Sequence, residues 1–317
     1  MSARPGTVSR RQLRFGAPAL RHLEWPYFDA RGTEDEPHLA VIAGIHGCEY
    51  SSISGVVELM RGLDPARLRG RVTAVPIVNL ESYRQRTPFV SPADGKNLNR
   101  CFPGDPAGTY SDQLAHHVFT ELIAPSDALV DVHGGDLVEA LEPFTLHDES
   151  PVGDRARAMA VAYGLPYVVC PEPDGTSIGG TTSEAAATAG IPAITPEAGG
   201  CGLLEDDAIA AHVRGLESVL RVLGMLPGEV EPPERPQRLV RRFIWPRARA
   251  AGWWQPDVLP GEAVAAGARL GAVCDLFGEE LEVVSAPEAG VPLFVTSSPA
   301  VAADGILLGL GAGISEM

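Results

Sequence analysis

Two short apolar runs, each leading to a histidine, most constrain the fold of this chain. Residues 38–45 lead to His46, and residues 128–132 lead to His133. Runs of this kind, rich in valine, leucine and isoleucine, are typical of strands buried on both faces of a parallel sheet. Because open α/β sheets build their sites at the carboxyl ends of the strands, we expect both histidines to lie at one edge of the sheet.

A carboxylate close to the first histidine predicts a metal site. Glu49 follows His46 by three positions, and His133 is followed by Gly134 and Gly135. Imidazole nitrogens and carboxylate oxygens are good zinc ligands, and catalytic zinc sites commonly take three protein ligands and leave one position for water. A single His-x-x-Glu pair occurs often by chance. The second histidine at the end of a strand strengthens the prediction of a zinc site.

Two further segments carry polar residues between turn signals or glycines. Asn99 and Arg100 lie in a polar cluster, residues 94–104, which begins and ends with turn-forming pairs. A short apolar run over residues 191–195 leads to Glu197 and then to a glycine pair. The planar guanidinium of an arginine can bind both oxygens of a carboxylate. Glu197 is a candidate general base for a water that zinc activates at neutral pH.

Taken in chain order, these segments resemble the succinylglutamate desuccinylase/aspartoacylase family of the zinc carboxypeptidase clan. The resemblance spans roughly residues 38 to 225 and rests on His46-x-x-Glu49, Asn97-Leu-Asn-Arg100 followed by Phe-Pro-Gly, Asp131-x-His133-Gly-Gly, and Thr195-x-Glu197-x-Gly-Gly200. It implies a zinc-dependent hydrolase of non-peptide carbon–nitrogen bonds. Such an enzyme removes the acyl group from the nitrogen of an N-acyl amino acid.

The resemblance also implies roles for individual residues. They are the zinc ligands His46, Glu49 and His133 for one Zn²⁺ per chain, the catalytic Glu197, the substrate-carboxylate pair Asn99 and Arg100, and Arg86, which would polarise the scissile carbonyl. Arg84 is close enough in sequence to leave the last assignment open.

One position departs from the family pattern. The residue two before Asn99 is commonly Asp, which hydrogen-bonds a zinc-ligating histidine, but here it is Asn97. An amide oxygen can still accept the imidazole N–H, although it brings no negative charge to raise the basicity of the ligand. We therefore expect either a lower zinc affinity or a contribution from Asp131.

Other polar residues near these segments have weaker claims. His147 is an outside candidate for the metal or for proton transfer. Cys48 lies between two proposed ligands, but thiolate ligation usually comes with a partner cysteine at short spacing, so we exclude it. Asp136 and Glu139 are expected to be solvated charges, with the alternative that they line the pocket and attract a cationic substrate side chain.

The composition excludes several classes of protein. The net charge is −16, which disfavours nonspecific binding to nucleic acid phosphates. Five scattered cysteines argue against a disulfide framework and for a reducing compartment. Neither a signal-peptide pattern nor an apolar stretch long enough to span a membrane is present. The expectation is a cytoplasmic enzyme with a small-molecule substrate.

The chain divides at a proline-rich segment. We predict an α/β amidohydrolase domain over residues 1–226, with a mostly parallel or mixed sheet flanked by helices, a linker over 227–237, and a smaller all-β domain over 238–317. The last resembles barrel-sandwich modules that carry biotin or lipoate, but the only lysine of the chain is Lys96, so it cannot carry such a cofactor. Its expected role is to wall the active-site cleft or to form a subunit contact in a homo-oligomer.

These observations favour a zinc-dependent deacylase of N-acyl amino acids. The alternatives are a zinc metallocarboxypeptidase acting on peptides and a catalytically inert protein that binds acyl-amino acids. The presence of Glu197 beside the full set of metal ligands argues against the inert alternative. Acetylated diamino acids, succinylglutamate and acetylaspartate are all candidate substrates.

Overall fold

The computed structural model of the chain describes residues 6–172 and 179–317, so residues 1–5 and 173–178 of the predicted first domain lie outside the described part. The helices are α1 Tyr50–Gly62, α2 Leu80–Gln85, α3 Tyr110–Val118, α4 Gly153–Tyr163, α5 Thr182–Thr188 and α6 Asp206–Val222. A 3-10 turn covers Leu98–Arg100, and a π-helical turn, Phe119–Ile123, continues α3.

The strands fall into three sheets. In chain order they are β1 Thr7–Leu13, β2 Trp25–Arg31, β3 His38–Ala43, β4 Arg71–Val75, β5 Ala128–Val132, β6 Glu139–Leu141, β7 Phe144–Leu146, β8 Tyr167–Val169, β9 Ala193–Glu197, β10 Arg238–Val240, β11 Arg242–Ile244, β12 Gly252–Pro256, β13 Arg269–Cys274, β14 Glu280–Ser285, β15 Gly290–Thr296, β16 Ala300–Val301, β17 Leu308–Ala312 and β18 Ser315–Glu316.

The largest sheet is mixed and contains ten strands in the order β1-β2-β4-β3-β5-β9-β7-β8-β10-β18. Its centre is parallel, because β3 pairs with β4 and β5, and β5 pairs with β9. Antiparallel pairs, such as β1 with β2 and β7 with β9, flank this centre. The predicted fold class, a mixed α/β sheet with a smaller all-β part, is confirmed.

Successive side chains along the central strands point to opposite faces of this sheet, and a hydrophobic core forms on each face. Leu39 and Val41 of β3 pack into a cluster with the apolar sides of α1, α4 and α6. Ala40 and Ile42 point to the other face and pack with α3 and α5. Both sides of β3 are therefore covered by helices, which explains why its sequence is a continuous apolar run.

The C-terminal part forms two four-stranded sheets, ordered β11-β17-β15-β6 and β14-β13-β12-β16. Trp254, Leu270 and Leu308 are buried in the cluster between them. The two parts of the chain exchange strands. β6 from the first part joins a C-terminal sheet, while β10 and β18 from the C-terminal part extend the large sheet. Residues 227–237 contain neither helix nor strand. The domain boundaries stay a prediction.

Within the described ranges, none of the helices combines the length and the apolar character that crossing a bilayer requires. All five cysteines lie in the described residues, and none of them forms a disulfide.

Candidate active site

The three predicted ligands meet at the carboxyl ends of β3 and β5. His46 lies in the loop after β3, Glu49 is the N-terminal capping residue of α1, and His133 follows β5 directly. One ligand atom from each of the three lies within 4.8 Å of the other two. Nδ1 of His46 is 2.7 Å from Oε1 of Glu49, and Nδ1 of His133 is 3.1 Å from Oε2. This cluster could hold a metal ion.

The far nitrogen of each histidine faces an oxygen acceptor. Nε2 of His46 lies 3.1 Å from Oδ1 of Asn97, and Nε2 of His133 lies 3.0 Å from Oδ2 of Asp131. The same Asp131 oxygen accepts a hydrogen bond from the hydroxyl of Thr182. Metal-ligating histidines almost always donate their other N–H to such acceptors, which fixes the ring and the tautomer. Asn97 thus provides the neutral acceptor beside His46, while Asp131 provides a negatively charged acceptor beside His133.

Charge balance within the cluster also fits a metal site. Burial by itself would raise the pKa of Glu49, but the neighbouring His133 and His46 lower it to about 2. Burial would lower the pKa of both imidazoles, yet the carboxylates beside them raise it. A divalent cation that displaces the imidazole protons would take over their role of neutralising Glu49.

Glycines allow the strand ends to approach closely here. The backbone N–H of Gly134 donates to Oε2 of Glu49 at 3.2 Å. A Cβ atom at Gly134 would lie 2.5 Å from the carbonyl oxygen of Ala198, and one at Gly47 would lie 2.2 Å from the backbone nitrogen of Tyr83. Side chains at these positions would push apart the segments that carry the ligands and Glu197.

Glu197 ends β9, beside the metal cluster. The backbone N–H of His133 donates to the carbonyl oxygen of Pro196 at 2.9 Å, and His133 and Glu197 form a parallel β-bridge. Burial raises the pKa of Glu197 well above its ordinary value, against the lowering effect of His133. Nearby Glu49 and Glu139 raise it further. A buried carboxyl with a raised pKa is suited to accept and return a proton near neutral pH.

Asn99 and Arg100 line the same cavity as the metal cluster. Oδ1 of Asn99 accepts from the backbone N–H of Thr182 at 3.1 Å, which fixes the amide. Arg100 donates to the carbonyl oxygen of Asn99 at 2.6 Å and forms no ion pair with a carboxylate of the described chain. Burial lowers the pKa of Arg100. A guanidinium without an internal counter-ion is available to a carboxylate ligand.

The two arginines near α2 do not line the cavity. Arg84 is half exposed, and its guanidinium lies 3.7 Å from Glu81. Arg86 is exposed at the end of α2, where its backbone adopts the left-handed conformation with φ of 54°. Burial raises the pKa of Cys48 and Tyr50, which flank Glu49, and the charge of Arg86 partly opposes this rise. Arg86 therefore lies near the ligand loop but outside the cavity wall, and its role toward the carbonyl stays a prediction.

The residues with weaker claims have different surroundings in the structure. His147 is buried, and within the described residues it does not belong to the metal cluster. Cys48 is buried, and burial raises the pKa of its thiol to about 11, so it is a poor thiolate ligand. Asp136 is buried and accepts backbone N–H groups from Phe89 and Leu137. The expectation that it is solvated is wrong, since it ties two loops together.

The sequence reasoning missed an aromatic wall that faces the metal cluster across the cavity. The cavity has a volume of about 860 Å³, and its wall includes Phe144, Phe243, Trp245 and Phe294. These rings are contiguous: the centroids of Phe243 and Trp245 are 4.6 Å apart, and those of Trp245 and Phe294 are 5.3 Å apart. The alternation Phe243-Ile-Trp245 could have predicted this wall, because residues two apart in an extended segment point to the same side.

A comparison with protein-family models decides the relationship of this chain. The model of the succinylglutamate desuccinylase/aspartoacylase catalytic domain matches residues 35–223. The chain belongs to this family. The matched part contains all three candidate ligands and Glu197, whereas much of the aromatic wall lies beyond it.

Solved structures of the family show the same fold over nearly the whole chain. A succinylglutamate desuccinylase/aspartoacylase from Rhodobacter sphaeroides superposes with a TM-score of 0.83 at 24% identity, covering 99% of this chain and 97% of that one. The product-bound ectoine utilization protein EutE (DoeB) from Ruegeria pomeroyi gives a TM-score of 0.85 at 24% identity, covering 98% and 96%. The C-terminal sheets therefore belong to the shared fold.

One curated relative of the family is similar in sequence. The N-alpha-acetyl-L-2,4-diaminobutyric acid deacetylase of Halomonas elongata is 32% identical over 207 residues, which are 63% of this chain and 59% of that protein. The match thus spans less than two thirds of the relative.

Proposed function

We propose that the protein is a zinc-dependent deacylase that hydrolyses the amide bond of an N-acyl amino acid. The observation that carries this proposal is the convergence of three metal-ligating side chains, Glu197 and Arg100 on one cavity. Hydrolysis of such an amide needs an activated water, a proton for the departing amine and a group that holds the substrate carboxylate. The chain offers a residue for each need.

The donor set is suited to zinc. Two imidazole nitrogens and one carboxylate oxygen are typical of catalytic zinc sites, and both histidines have acceptors behind them. His46, Glu49 and His133 would hold the ion. When bound, zinc supplies Lewis acidity and lowers the pKa of its water to about 7.

Glu197 supplies the proton transfers. It lies at the end of β9, next to His133, so its carboxylate can take a proton from the attacking water. The same carboxyl then gives this proton to the amine, which leaves poorly as an anion. Burial raises the pKa of Glu197, which favours the protonated form that would give its proton to the amine.

Arg100 and Asn99 would position the substrate. The guanidinium binds the α-carboxylate in two parallel hydrogen bonds, and the fixed amide of Asn99 orients it. This clamp holds the amino-acid half, so the acyl carbonyl is left over the metal cluster. The residue that stabilises the oxyanion is assigned by family resemblance to Arg86, which would have to turn inward from its exposed position.

An acetylated diamino acid is the first substrate to test, because the Halomonas elongata relative is a deacetylase of N-alpha-acetyl-L-2,4-diaminobutyric acid. The C-terminal sheets close one side of the cavity and would exclude long peptides. We therefore favour deacylation of small substrates over carboxypeptidase activity.

A substrate panel tests the proposal. Zinc-loaded protein is incubated with Nα-acetyl-2,4-diaminobutyrate, acetylaspartate, succinylglutamate and a set of C-terminal peptides, and released amine is measured. The expected result is turnover of at least one N-acyl amino acid and none of the peptides. Cleavage of the peptides alone would identify a carboxypeptidase, and binding without turnover would identify an inert binding protein.

A further inference from the structure

Glu139 is a carboxylate of the cavity wall that the proposed reaction does not use. It begins β6, lines the cavity and is mostly buried. Its Oε2 atom accepts one hydrogen bond, from the backbone N–H of Asp136 at 3.1 Å. No lysine or arginine of the described chain lies close enough to neutralise it. Burying a charged carboxylate without a cation is costly, so a cationic ligand at this position would stabilise the ionised form of Glu139.

The register of β6 places Glu139 against the C-terminal sheet. Glu139 pairs with Thr296 of β15, and Leu141 pairs with Phe294. Residues two apart on a strand share a face, and all four of these residues line the cavity. The carboxylate is therefore next to the aromatic wall rather than in bulk water.

The aromatic wall runs from this carboxylate to the catalytic residues. Phe294 lies 5.3 Å from Trp245, centroid to centroid, and 6.2 Å from Phe243. Phe243 lies 5.6 Å from Phe144, and Phe144 pairs with Glu197 across β7 and β9. A substrate held at the metal cluster can thus extend along the aromatic rings toward Glu139.

The other charged residues of the cavity wall differ from Glu139. Arg241 lies 2.8 Å from Glu149, Arg247 lies 3.7 Å from Asp304, and Glu172 and Glu184 are exposed to solvent. Asp148 is the rival to Glu139, because its Oδ2 is buried and unpaired in the described chain. Asp148, however, lies beyond β7, whereas Glu139 is held against β15, which carries the aromatic Phe294.

A carboxylate beside aromatic faces is a site for an ammonium group. The carboxylate offers a charge-assisted hydrogen bond, and the electron-rich faces attract the same cation. Burial raises the pKa of Glu139 to about 7, and a bound ammonium would favour its ionised form. An anionic or purely apolar group would gain neither contact and would leave the carboxylate unpaired.

We propose that Glu139 and the adjoining aromatic wall form a subsite for a primary ammonium group on the side chain of the substrate. The inference rests on the proposed function and sharpens it, since it assigns the enzyme to N-acyl diamino acids and names the residue that selects them. Arg100 binds the carboxylate end of such a substrate, and Glu139 binds the ammonium end.

The test compares two substrates that differ only in charge. Nα-acetyl-2,4-diaminobutyrate carries an ammonium where Nα-acetylnorvaline carries a methyl group. Wild-type protein is expected to prefer the cationic substrate by about 10- to 100-fold in kcat/KM, the size of a charge-assisted hydrogen bond. Glu139→Gln is expected to remove most of this preference through KM and to keep the zinc content, while any change in kcat that follows from the altered pKa of Glu197 is shared by both substrates. The amide oxygen of glutamine can still accept from Asp136.

Asp148→Asn is the matched comparison, since it makes the same change at the rival carboxylate. It is expected to keep the substrate preference. Equal losses on both substrates in Glu139→Gln, or loss of the preference in Asp148→Asn alone, would overturn the inference.

Calorimetry separates this inference from the proposed function. Free 2,4-diaminobutyrate is titrated into zinc-loaded wild type and Glu139→Gln, with norvaline as the neutral ligand. Turnover without any cation preference would refute the ammonium subsite and leave the deacylase intact. Cation-selective binding that depends on Glu139, in a protein that hydrolyses no N-acyl amino acid, would refute the deacylase and keep the subsite.

Discussion

The two sides of the cavity are built in different ways. The metal side is polar: its side chains come from the ends of β3, β5 and β9 and from the 3-10 turn, and His46, His133 and Asn99 each face a second polar group. The opposite side is mostly apolar and aromatic, and the C-terminal sheets supply much of it. Polar partners fix atoms to within fractions of an ångström, whereas apolar walls tolerate substitution. We therefore expect substitutions on the metal side to affect the chemical step most, and substitutions on the aromatic side to affect mainly which substrate is bound.

The largest effect is expected from the metal ligands. His133→Ala removes one of three ligands and leaves Glu49 partly uncompensated, so we expect zinc affinity to fall by at least about 100-fold and turnover to fall with it. Metal analysis after dialysis measures the loss. His147→Ala is the control, because this buried histidine lies outside the cluster of candidate ligands, and it should keep its zinc. The opposite pattern would move the third ligand to His147.

Substitution of Glu197 separates chemistry from metal binding. Glu197→Gln keeps the size of the side chain and the three ligands but removes the base. We expect full zinc occupancy and a kcat lower by about 10²- to 10⁴-fold, as for loss of a general acid–base group. Single-turnover kinetics with parallel metal analysis provide the measurement. Turnover close to that of the wild type would refute the assignment of Glu197 as the base.

Arg100→Lys tests the carboxylate clamp. Lysine keeps the charge but cannot bind two oxygens at once, so KM should rise by about 10- to 100-fold while kcat changes little. Substrates with an amidated α-carboxylate should be poor for the wild type and insensitive to the change. Equal losses on acid and amide substrates would make Arg100 structural and turn attention to Arg84 or Arg86.

A smaller effect is expected across the cavity. Trp245→Leu removes a ring that packs on Phe243 and Phe294, and such aromatic contacts contribute about 0.5–1.5 kcal/mol. We expect KM to rise by about 2- to 10-fold, with zinc content and kcat unchanged. Steady-state kinetics on the preferred substrate decide this. A fall in kcat like that of Glu197→Gln would show that the two sides are not separable.

The smallest effect on activity is expected from Asp94, which anchors the loop of Arg100. Its carboxylate accepts from Thr109 Oγ1 at 2.6 Å and from the N–H and hydroxyl of Ser111 at 2.8 Å. We expect Asp94→Ala to lower the free energy of unfolding by about 1–2 kcal/mol.

The same contacts predict a pH dependence of stability. Burial by itself would raise the pKa of Asp94. Hydrogen bonds from Thr109 and Ser111 outweigh burial and lower this pKa in the folded protein. The stabilisation is therefore present above the unfolded pKa of about 4 and is lost as the pH falls through the lower folded value. Urea unfolding of wild type and Asp94→Ala should give curves that converge in acid. A constant difference would mean that the carboxylate charge is not involved.

The sequence predicted much of the metal side, since its signals are local. A strand that ends in a ligand keeps that ligand at its carboxyl end, so His46, His133 and Glu197 could be placed by reading the chain. The apolar pattern over residues 205–223 likewise predicts a helix, and α6 covers Asp206–Val222. Arg86 could not be placed in this way, because the direction of a side chain at a helix end depends on tertiary packing.

The opposite side could not be predicted because it depends on pairing between distant segments. The pairing of β6 with β15 joins residues more than 150 positions apart, and no short motif encodes it. The same pairing brings Glu139, expected to be solvated, into the cavity wall. Register between remote strands is set by the whole hydrophobic pattern.

Zinc titration of the metal-free protein tests whether turnover requires one bound zinc ion per chain. Chelated and dialysed protein is titrated with Zn²⁺, and amine release from the best N-acyl amino acid of the panel is followed at each step. We expect no turnover before zinc is added and a linear rise that ends at one equivalent per chain. Full turnover in the metal-free protein, or saturation only at two equivalents, would contradict this expectation.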